Sequence, residues 1–193
     1  AVLFCMAASV CSTGGLHEDG LADAADGLIA GHDAQQRLEI MRDSRLGTYG
    51  ALALWFSLTA KLFLLHALLA QGLWLAIGAL VVAHACGRMS SVALLHYCPY
   101  ARAEESKSKP FGNSVTMVEV SIALTLTVAF SFLVIGDKAA LCLLGATLMT
   151  GAVSGFVKKR IGGVTGDCLG AANQLVELTC YAVLIAQLRV GES

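Results

Sequence analysis

The sequence predicts an all-α fold, a polytopic bundle of membrane-spanning helices, on two observations. Apolar residues make up 56% of the 193 residues and charged residues only 14%, whereas about 25% of the residues of an average soluble domain are charged. Apolar runs close to the roughly 20 residues that cross a bilayer as a helix recur along the chain. These runs cover residues 51–70, 73–95, 115–135, 139–157 and 169–188. We therefore expect about five full transmembrane helices in one integral-membrane catalytic domain, residues 1–193.

The chain begins inside an apolar segment, residues 1–12, that is too short to span a bilayer. No initiating Met and no basic region precede it, so we interpret it as the end of a truncated N-terminal helix rather than as a signal peptide. We expect an N-terminal part of the full-length protein to be missing from this sequence.

The cysteines and the net charge exclude several classes of protein. The seven cysteines form no C-x-x-C pair, and most lie in apolar runs. We expect them to act as small hydrophobic side chains, which supports neither a disulfide framework nor a zinc site. The net charge of -1 and the lack of a soluble basic face give no indication of nucleic-acid binding.

The basic residues are unevenly divided between the loops. If all five runs span, loops 13–50, 96–114 and 158–168 share one side of the membrane. That side carries Arg37, Arg42, Arg45, Arg102, Lys107, Lys109, Lys158, Lys159 and Arg160, against Lys138 and Arg189 on the other. Positive residues concentrate in cytoplasmic loops, so this distribution predicts that the first side is cytoplasmic.

An acidic stretch from His17 to Gly27 is the most informative motif of the chain. On a helix, its residues Asp19, Asp23 and Asp26 fall within about 60° of one another, on a single stripe. Three carboxylates beside lipid are costly unless a cation or a proton neutralises them, and oxygen ligands suit magnesium or manganese. The pattern predicts a metal site. The alternative is a solvated amphipathic helix whose acids stabilise its N-terminus.

Two residues flank this stripe. Glu18 points elsewhere on the helix, and an ordinary surface position is an equal alternative for it. His17 is a candidate metal ligand or proton acceptor, with a hydrogen-bonded structural role as the alternative.

A basic cluster at residues 41–50 precedes the first full apolar run. The guanidinium groups of Arg42 and Arg45 can bind phosphate oxygens in a bidentate manner, and Ser44 can add a donor. Asp43 is either the salt-bridge partner of these arginines or a further metal ligand. The cluster predicts a phosphate clamp, and the alternative is a juxtamembrane anchor for anionic headgroups.

A second basic and glycine-rich cluster, residues 158–167, precedes the last apolar run. Glycines before a helix let backbone N–H groups turn toward an anion, which the helix dipole also favours. No Gly-Lys-Ser/Thr follows, so this is not a Walker motif. The alternative role for Lys158, Lys159 and Arg160 is to stabilise the end of the preceding helix.

Four charged residues lie inside or near the apolar runs. Charges within a membrane are by default functional or paired. Arg88 and Glu177 are candidates for lining a polar cavity, whereas Lys61 and Glu119 can instead extend to the interface or lie near it.

Three blocks, at residues 15–27, 42–50 and 163–171, resemble those of the cobalamin synthase family, also called adenosylcobinamide-GDP ribazoletransferase. The similarity runs in order from about residue 12 to 185. Departures are an Ala-Ala pair between Asp23 and Asp26, where a Thr is frequent, and a divergent stretch at 104–119.

The resemblance implies the last steps of cobalamin biosynthesis at a bacterial inner membrane, with the active site on the cytoplasmic side. Adenosylcobinamide-GDP would be the donor, α-ribazole or α-ribazole 5'-phosphate the acceptor, and GMP the leaving group. Magnesium on the acids would bridge diphosphate oxygens while the arginines stabilise the reacting phosphorus.

The same resemblance implies a role for individual residues. The implied metal ligands are Asp19, Asp23, Asp26 and Asp167. The implied catalytic residues are His17, Asp43, Arg42 and Arg45. The implied phosphate- and substrate-binding residues are Arg42, Ser44, Arg45, Arg88, Lys159, Gly163, Thr165, Gly166 and Glu177.

Two other functions fit parts of the pattern. A CDP-alcohol phosphotransferase also uses aspartates on membrane helices, but its Asp-Gly-x-x-Ala-Arg motif is not matched after Asp19-Gly20. A divalent-cation transporter would place its acids deep in a broken helix, whereas these acids adjoin basic loops. A non-catalytic scaffold would leave the three clusters unexplained. The sequence leaves open whether the protein acts as a homo-oligomer.

Overall fold

The computed structural model describes residues 1–101 and 115–191. In these residues every regular element is helical, which confirms the all-α prediction. Arg102, Lys107 and Lys109, three of the basic residues in the topology argument, lie outside the described residues, as does most of the divergent stretch. The helices are α1 Val2–Thr13, α2 Leu16–Ala30, α3 Ala34–Ile40, α4 Thr48–Gln71, α5 Leu73–Tyr97, α6 Met117–Ile135, α7 Ala139–Ile161 and α8 Gly166–Gly191.

Four helical segments of the described chain are long and apolar enough to cross a membrane: Thr48–Gln71, Leu73–Tyr97, Met117–Ile161 and Gly166–Arg189. The third has 45 residues, about twice the length that one crossing needs. The short 3-10 turn Gly136–Lys138 divides it into α6 and α7. The five long helices α4 to α8 therefore correspond to the five predicted apolar runs, in a multi-pass membrane protein.

Helix α8 forms the centre of the bundle and packs against α2, α4, α5 and α7. Of the residues in the most apolar 18-residue stretch of α8, 61% are buried. The corresponding share is 17% for the segment that contains α6 and α7. Small residues on α8, such as Gly170 and Ala172, allow this close packing, as is usual where helices associate in lipid. Helix α8 is therefore the most buried of the four candidate spans.

The loop predicted at 13–50 contains two helices that do not qualify as membrane spans. The acidic stretch forms α2, which confirms its helical periodicity. Gly14 and Gly15, with φ of 63° and 72°, form the turn between α1 and α2. The following helix, α3, was not predicted, and Asp33 caps it by accepting a 2.9 Å hydrogen bond from the Gln36 N–H.

Several connections between helices lie at one end of the bundle, where backbone contacts join them. The Val164 N–H donates to the Pro99 carbonyl at 2.9 Å, which ties the segment before α8 to the segment after α5. A Cβ on Gly163 would lie 2.2 Å from the same carbonyl oxygen, so only glycine fits there. Arg37 of α3 donates to the Arg160 carbonyl at the end of α7, at 2.9 Å. The predicted acidic and basic clusters therefore share one end.

Candidate functional site

A cleft of about 700 Å³ opens beside the N-terminal half of α2. Asp19 and Asp23 line it, and Ser44 faces them from the loop before α4. Asp19 is exposed and Asp23 is half-buried. The other lining residues are Thr13, Gly14, Gly15, Leu16, Glu18, Ala22, Leu46 and Leu54. The structure thus brings two of the three stripe acids together with one residue of the predicted phosphate clamp.

The third acid of the stripe, Asp26, has a different environment. It is 7% exposed, and its two carboxylate oxygens accept hydrogen bonds from the backbone N–H groups of Gly47, at 2.8 Å, and Gly50, at 2.9 Å. These N–H groups belong to the N-terminus of α4, which lacks a capping side chain of its own. Asp26 therefore supplies the cap for α4 from another helix. Its assignment as a metal ligand stays a prediction.

His17, at the start of α2, meets Arg88 of α5. The Arg88 guanidinium donates to Nε2 of His17, so that nitrogen is unprotonated in this arrangement. Partial burial and the Arg88 charge both lower the pKa of His17. The sequence placed these two residues in separate groups, and the structure joins them.

In the loop between α3 and α4, Asp43 and Arg45 pair with each other. Nε of Arg45 is 2.9 Å from Oδ1 of Asp43, and Nη2 is 2.5 Å from Oδ2. Hydrogen bonds from the Arg45 side chain and backbone lower the pKa of Asp43 to about 2. Both side chains are at the surface, and so is Arg42. Of the two roles considered for Asp43, the structure shows the salt-bridge partner.

The glycine-rich segment before α8 uses its polar groups locally. Thr165 is fully buried, and its hydroxyl accepts from the Cys168 N–H at 3.3 Å, which caps α8. The same hydroxyl lies 3.2 Å from Oδ2 of Asp167. Gly166 is exposed at the helix N-terminus. This segment lies beside α2, because a Cβ on Gly20 would come within 3.0 Å of the Asp167 carbonyl oxygen.

The basic residues at the end of α7 agree in part with the alternative role of stabilising the end of that helix. Lys159 is exposed in the last turn of α7, where positive charge interacts favourably with the helix dipole. The guanidinium of Arg160 lies 5.2 Å from the centre of the Phe156 ring. The phosphate-binding assignments of Lys159, Gly163, Thr165 and Gly166 stay predictions.

The charged residues of the apolar runs behave in two ways. Lys61 is 4% exposed and Glu177 is 1% exposed, and Lys61 Nζ lies 2.9 Å from Oε2 of Glu177. Of the alternatives considered for Lys61, the structure shows the paired role, because a buried carboxylate inside the bundle holds its ammonium. Glu119 does lie at a helix end, where it forms a capping box with Thr116 at the start of α6.

This ion pair is part of a larger polar network that the sequence did not reveal. His84 Nδ1 lies 2.8 Å from Oε1 of Glu177, and Lys61 donates to Oε1 of Gln174 at 2.7 Å. Gln174 in turn donates to Oε1 of Glu18 at 3.0 Å. Glu18 is therefore not an ordinary surface residue. Gln174 and Glu177 lie one turn apart on α8, but no local pattern of the sequence identifies their partners on α2, α4 and α5.

No three His, Cys, Asp or Glu side chains within residues 1–101 and 115–191 are grouped closely enough to share a metal ion. The seven cysteines all lie in the described part of the chain, and five of them are buried. The burial of these five agrees with their predicted role as small hydrophobic side chains.

Comparison with known proteins assigns the chain to a family. Residues 1–185 match the family described as cobalamin-5-phosphate synthase. An adenosylcobinamide-GDP ribazoletransferase of Shewanella woodyi is 40% identical over 186 residues, which cover 96% of this chain and 72% of the relative. One of Vibrio parahaemolyticus is 44% identical over 190 residues, covering 96% of this chain and 70% of the relative. No solved structure matches. The chain belongs to the cobalamin-5-phosphate synthase family.

Proposed function

We propose that the protein transfers the adenosylcobinamide-phosphate group of adenosylcobinamide-GDP to α-ribazole or α-ribazole 5'-phosphate and releases GMP. Relatives named adenosylcobinamide-GDP ribazoletransferase align with 96% of this chain. The family favours this enzyme over the CDP-alcohol phosphotransferase and the cation transporter. The observation that carries the proposal is the cleft in which Asp19 and Asp23 face Ser44.

The donor set of this cleft fits a magnesium ion. Asp19 and Asp23 are one helical turn apart and line the same wall, and carboxylate oxygens are the ligands that magnesium prefers. When bound, the ion would offset charge on the diphosphate. Asp167, whose backbone lies against Gly20 of α2, is proposed as a third ligand that would join the other two when the ion binds, since no three such side chains in the described residues are already grouped around one position. Asp26 contributes by holding the start of α4, through Gly47 and Gly50.

The basic residues around this end of the bundle have separate tasks in the proposal. Arg42 and Arg45 hold phosphate oxygens of the donor, and Ser44 adds a hydroxyl donor inside the cleft. Asp43 pre-orients the Arg45 guanidinium by pairing with it. Arg88 neutralises phosphate charge next to His17, which accepts its hydrogen bond.

Further residues extend the proposed phosphate surface toward the N-terminus of α8. Its exposed first residue, Gly166, offers a helix end to an anion. Gly163 and Thr165 fix the backbone that leads to it, and Lys159 adds a positive charge from the end of α7. Glu177 acts only indirectly, because it is 1% exposed and paired with Lys61.

We also propose that the protein lies in a bacterial inner membrane with this end of the bundle in the cytoplasm. The excess of basic residues on the loops at this end supports that orientation. Cytoplasmic exposure would give the cleft direct access to nucleotide substrates. Homo-oligomerisation is a separate proposal that a measured mass in detergent would test.

The magnesium requirement is tested by GMP release from adenosylcobinamide-GDP in proteoliposomes that contain the full-length protein. Asp23→Asn is expected to lower turnover at least a hundredfold, because one ligand and its charge are lost. EDTA should have the same effect on the unmodified protein. Asp33→Asn is the matched control, since Asn caps a helix as well as Asp and Asp33 caps α3. Full activity of Asp23→Asn, or of the unmodified protein in EDTA, would exclude this metal site.

A further inference from the structure

A buried polar network lies beneath the cleft, and the proposed mechanism assigns no direct role to its members. It contains Lys61, His84, Gln174 and Glu177 and ends at Glu18 of α2. Charges at this depth in a bundle are costly, and intramembrane charges are functional by default. Lys61, Gln174 and Glu177 are each at most 4% exposed, so none of them can reach a substrate in the cleft. Glu18 is the member of this network that lines the cleft, whereas His84 leads to Ser9 of α1, 3.5 Å away.

The chemistry of the partners fixes the direction of the hydrogen bonds that lead from Lys61 through Gln174 to Glu18. An ammonium has donors only, so the Gln174 atom that faces Lys61 at 2.7 Å is the carbonyl oxygen. The amide NH₂ of Gln174 therefore points the other way, where it donates to Oε1 of Glu18 at 3.0 Å. Glu177 holds Lys61 in place at 2.9 Å. Without Lys61, the Gln174 amide is free to turn over and present its oxygen to the Glu18 carboxylate.

Side chains hold both ends of α2 to its neighbours. Near its start, Glu18 accepts from Gln174 of α8 and His17 accepts from Arg88 of α5. Asp26, eight residues after Glu18, binds the start of α4, and eight residues correspond to about 12 Å along a helix. Asp19 and Asp23 lie between these attachments and line the cleft, so the position of both acids depends on them.

We infer that Lys61 and Gln174 are positioning residues for the reaction, which act through Glu18 to fix the first turns of α2 and hence the cleft carboxylates. The inference rests on the proposed function for its kinetic test. If so, turnover depends on the buried amide of Gln174 and the buried ammonium of Lys61, although neither group contacts the substrates.

The first test compares two glutamines of α8 in the full-length protein. Gln174→Met should lower kcat for GMP release at least tenfold. Gln187→Met is the matched control, because Gln187 also donates a hydrogen bond, to the Lys138 carbonyl at 3.3 Å, toward the opposite end of the same helix. It should change kcat by less than twofold. Equal effects of the two substitutions would overturn the inference.

The second test separates positioning from stability with the double variant Lys61→Met/Glu177→Met. Replacing both members of a buried ion pair by apolar residues of similar size is often neutral or stabilising. This variant also removes a partner of His84 and of Gln174, so its unfolding temperature is measured together with kcat. We expect the variant to remain folded and to lose at least tenfold in kcat. Amide hydrogen exchange in residues 16–23 should become faster, whereas exchange in α6 should not change. Full kcat, or reduced kcat with unchanged exchange in residues 16–23, would overturn the inference.

The two tests distinguish this inference from the proposed function. If the unmodified full-length protein releases no GMP, the proposed function fails, and the exchange measurement still decides whether the network positions α2. If the unmodified protein is active and the double variant equals it, only the positioning role fails.

Discussion

Asp26 shows at the scale of a single residue how one carboxylate can resemble a metal ligand and serve a different neighbour. Its place on the helical stripe with Asp19 and Asp23 follows from sequence spacing alone. Its partners, Gly47 and Gly50, follow from the position of α4, which spacing within α2 cannot reveal. The stripe therefore divides into two acids in the cleft and one that supports it.

Asp26→Asn and Asp19→Asn should accordingly differ in their effects on stability. The first replaces a carboxylate that accepts from two backbone N–H groups by an amide with one acceptor, and should lower the free energy of unfolding by about 2–3 kcal/mol. The second changes an exposed residue at the cleft wall and should change the free energy of unfolding by less than about 0.5 kcal/mol. Denaturant unfolding in detergent measures both. Equal stabilities would contradict the capping role of Asp26.

Arg45→Lys tests the phosphate clamp against the membrane anchor. A planar guanidinium pairs with two phosphate oxygens, which an ammonium cannot do, and each lost charge-assisted hydrogen bond costs about 1.5–3 kcal/mol. Turnover should therefore fall about tenfold or more, while insertion and metal dependence stay the same. Arg189→Lys, at the opposite end of the chain's last helix, should have no effect. Full turnover with Lys at position 45 would instead favour a headgroup anchor.

At the scale of helices, the sequence predicted those elements whose pattern is local. The five apolar runs correspond to α4 to α8, because length and apolarity alone define a spanning helix. Helix α2 was predicted from its acidic stripe. The seven-residue helix α3 was not predicted, because it is shorter than the window in which hydrophobic periodicity is visible. The bond between Glu18 and Gln174 joins residues 156 positions apart, and no local pattern encodes it.

The close contact between α2 and α8 predicts that Gly20 cannot be replaced by alanine without loss of stability. A Cβ on Gly20 would meet the Asp167 backbone at 3.0 Å and the Gly170 Cα at 3.2 Å. These are backbone atoms, so Gly20→Ala requires the two helices to separate and should cost about 1–3 kcal/mol. A Cβ on Gly155 of α7 would meet nothing within 4 Å.

Gly155→Ala is therefore the matched control for Gly20→Ala. It should leave stability unchanged or raise it by about 0.5–1 kcal/mol, since alanine favours a helix over glycine. Unfolding temperatures of the two variants in the same detergent provide the comparison. A Gly20→Ala variant as stable as Gly155→Ala would show that the two helices do not depend on this close contact.

At the scale of the whole molecule, three clusters that are far apart in sequence share one end of the bundle. The contacts from Val164 to Pro99 and from Arg37 to Arg160 hold this end together. The sequence predicted that these clusters face the same side, from the number of spans and the charge of the loops. It could not predict which side chains pair there, such as His17 with Arg88, because pairing depends on the rotation of each helix.

The orientation in the membrane is testable by cysteine labelling of intact cells. Single cysteines at Ser44 and Lys159, both exposed, should be protected from an impermeant reagent, and one at Asp137, in the turn between α6 and α7, should react. The exposed Cys5 and Cys11 are first replaced by alanine. Labelling of position 44 or 159 from outside would reverse the proposed topology.

The central place of α8 also affects when the protein becomes active during its synthesis. The carboxylates of α2 leave the ribosome before α8, the helix against which they are positioned. Until α8 inserts, Glu18 lacks the Gln174 amide and Gly20 lacks its helix neighbour. A nascent or prematurely terminated chain would therefore carry the acidic motif without the geometry that the proposed reaction needs.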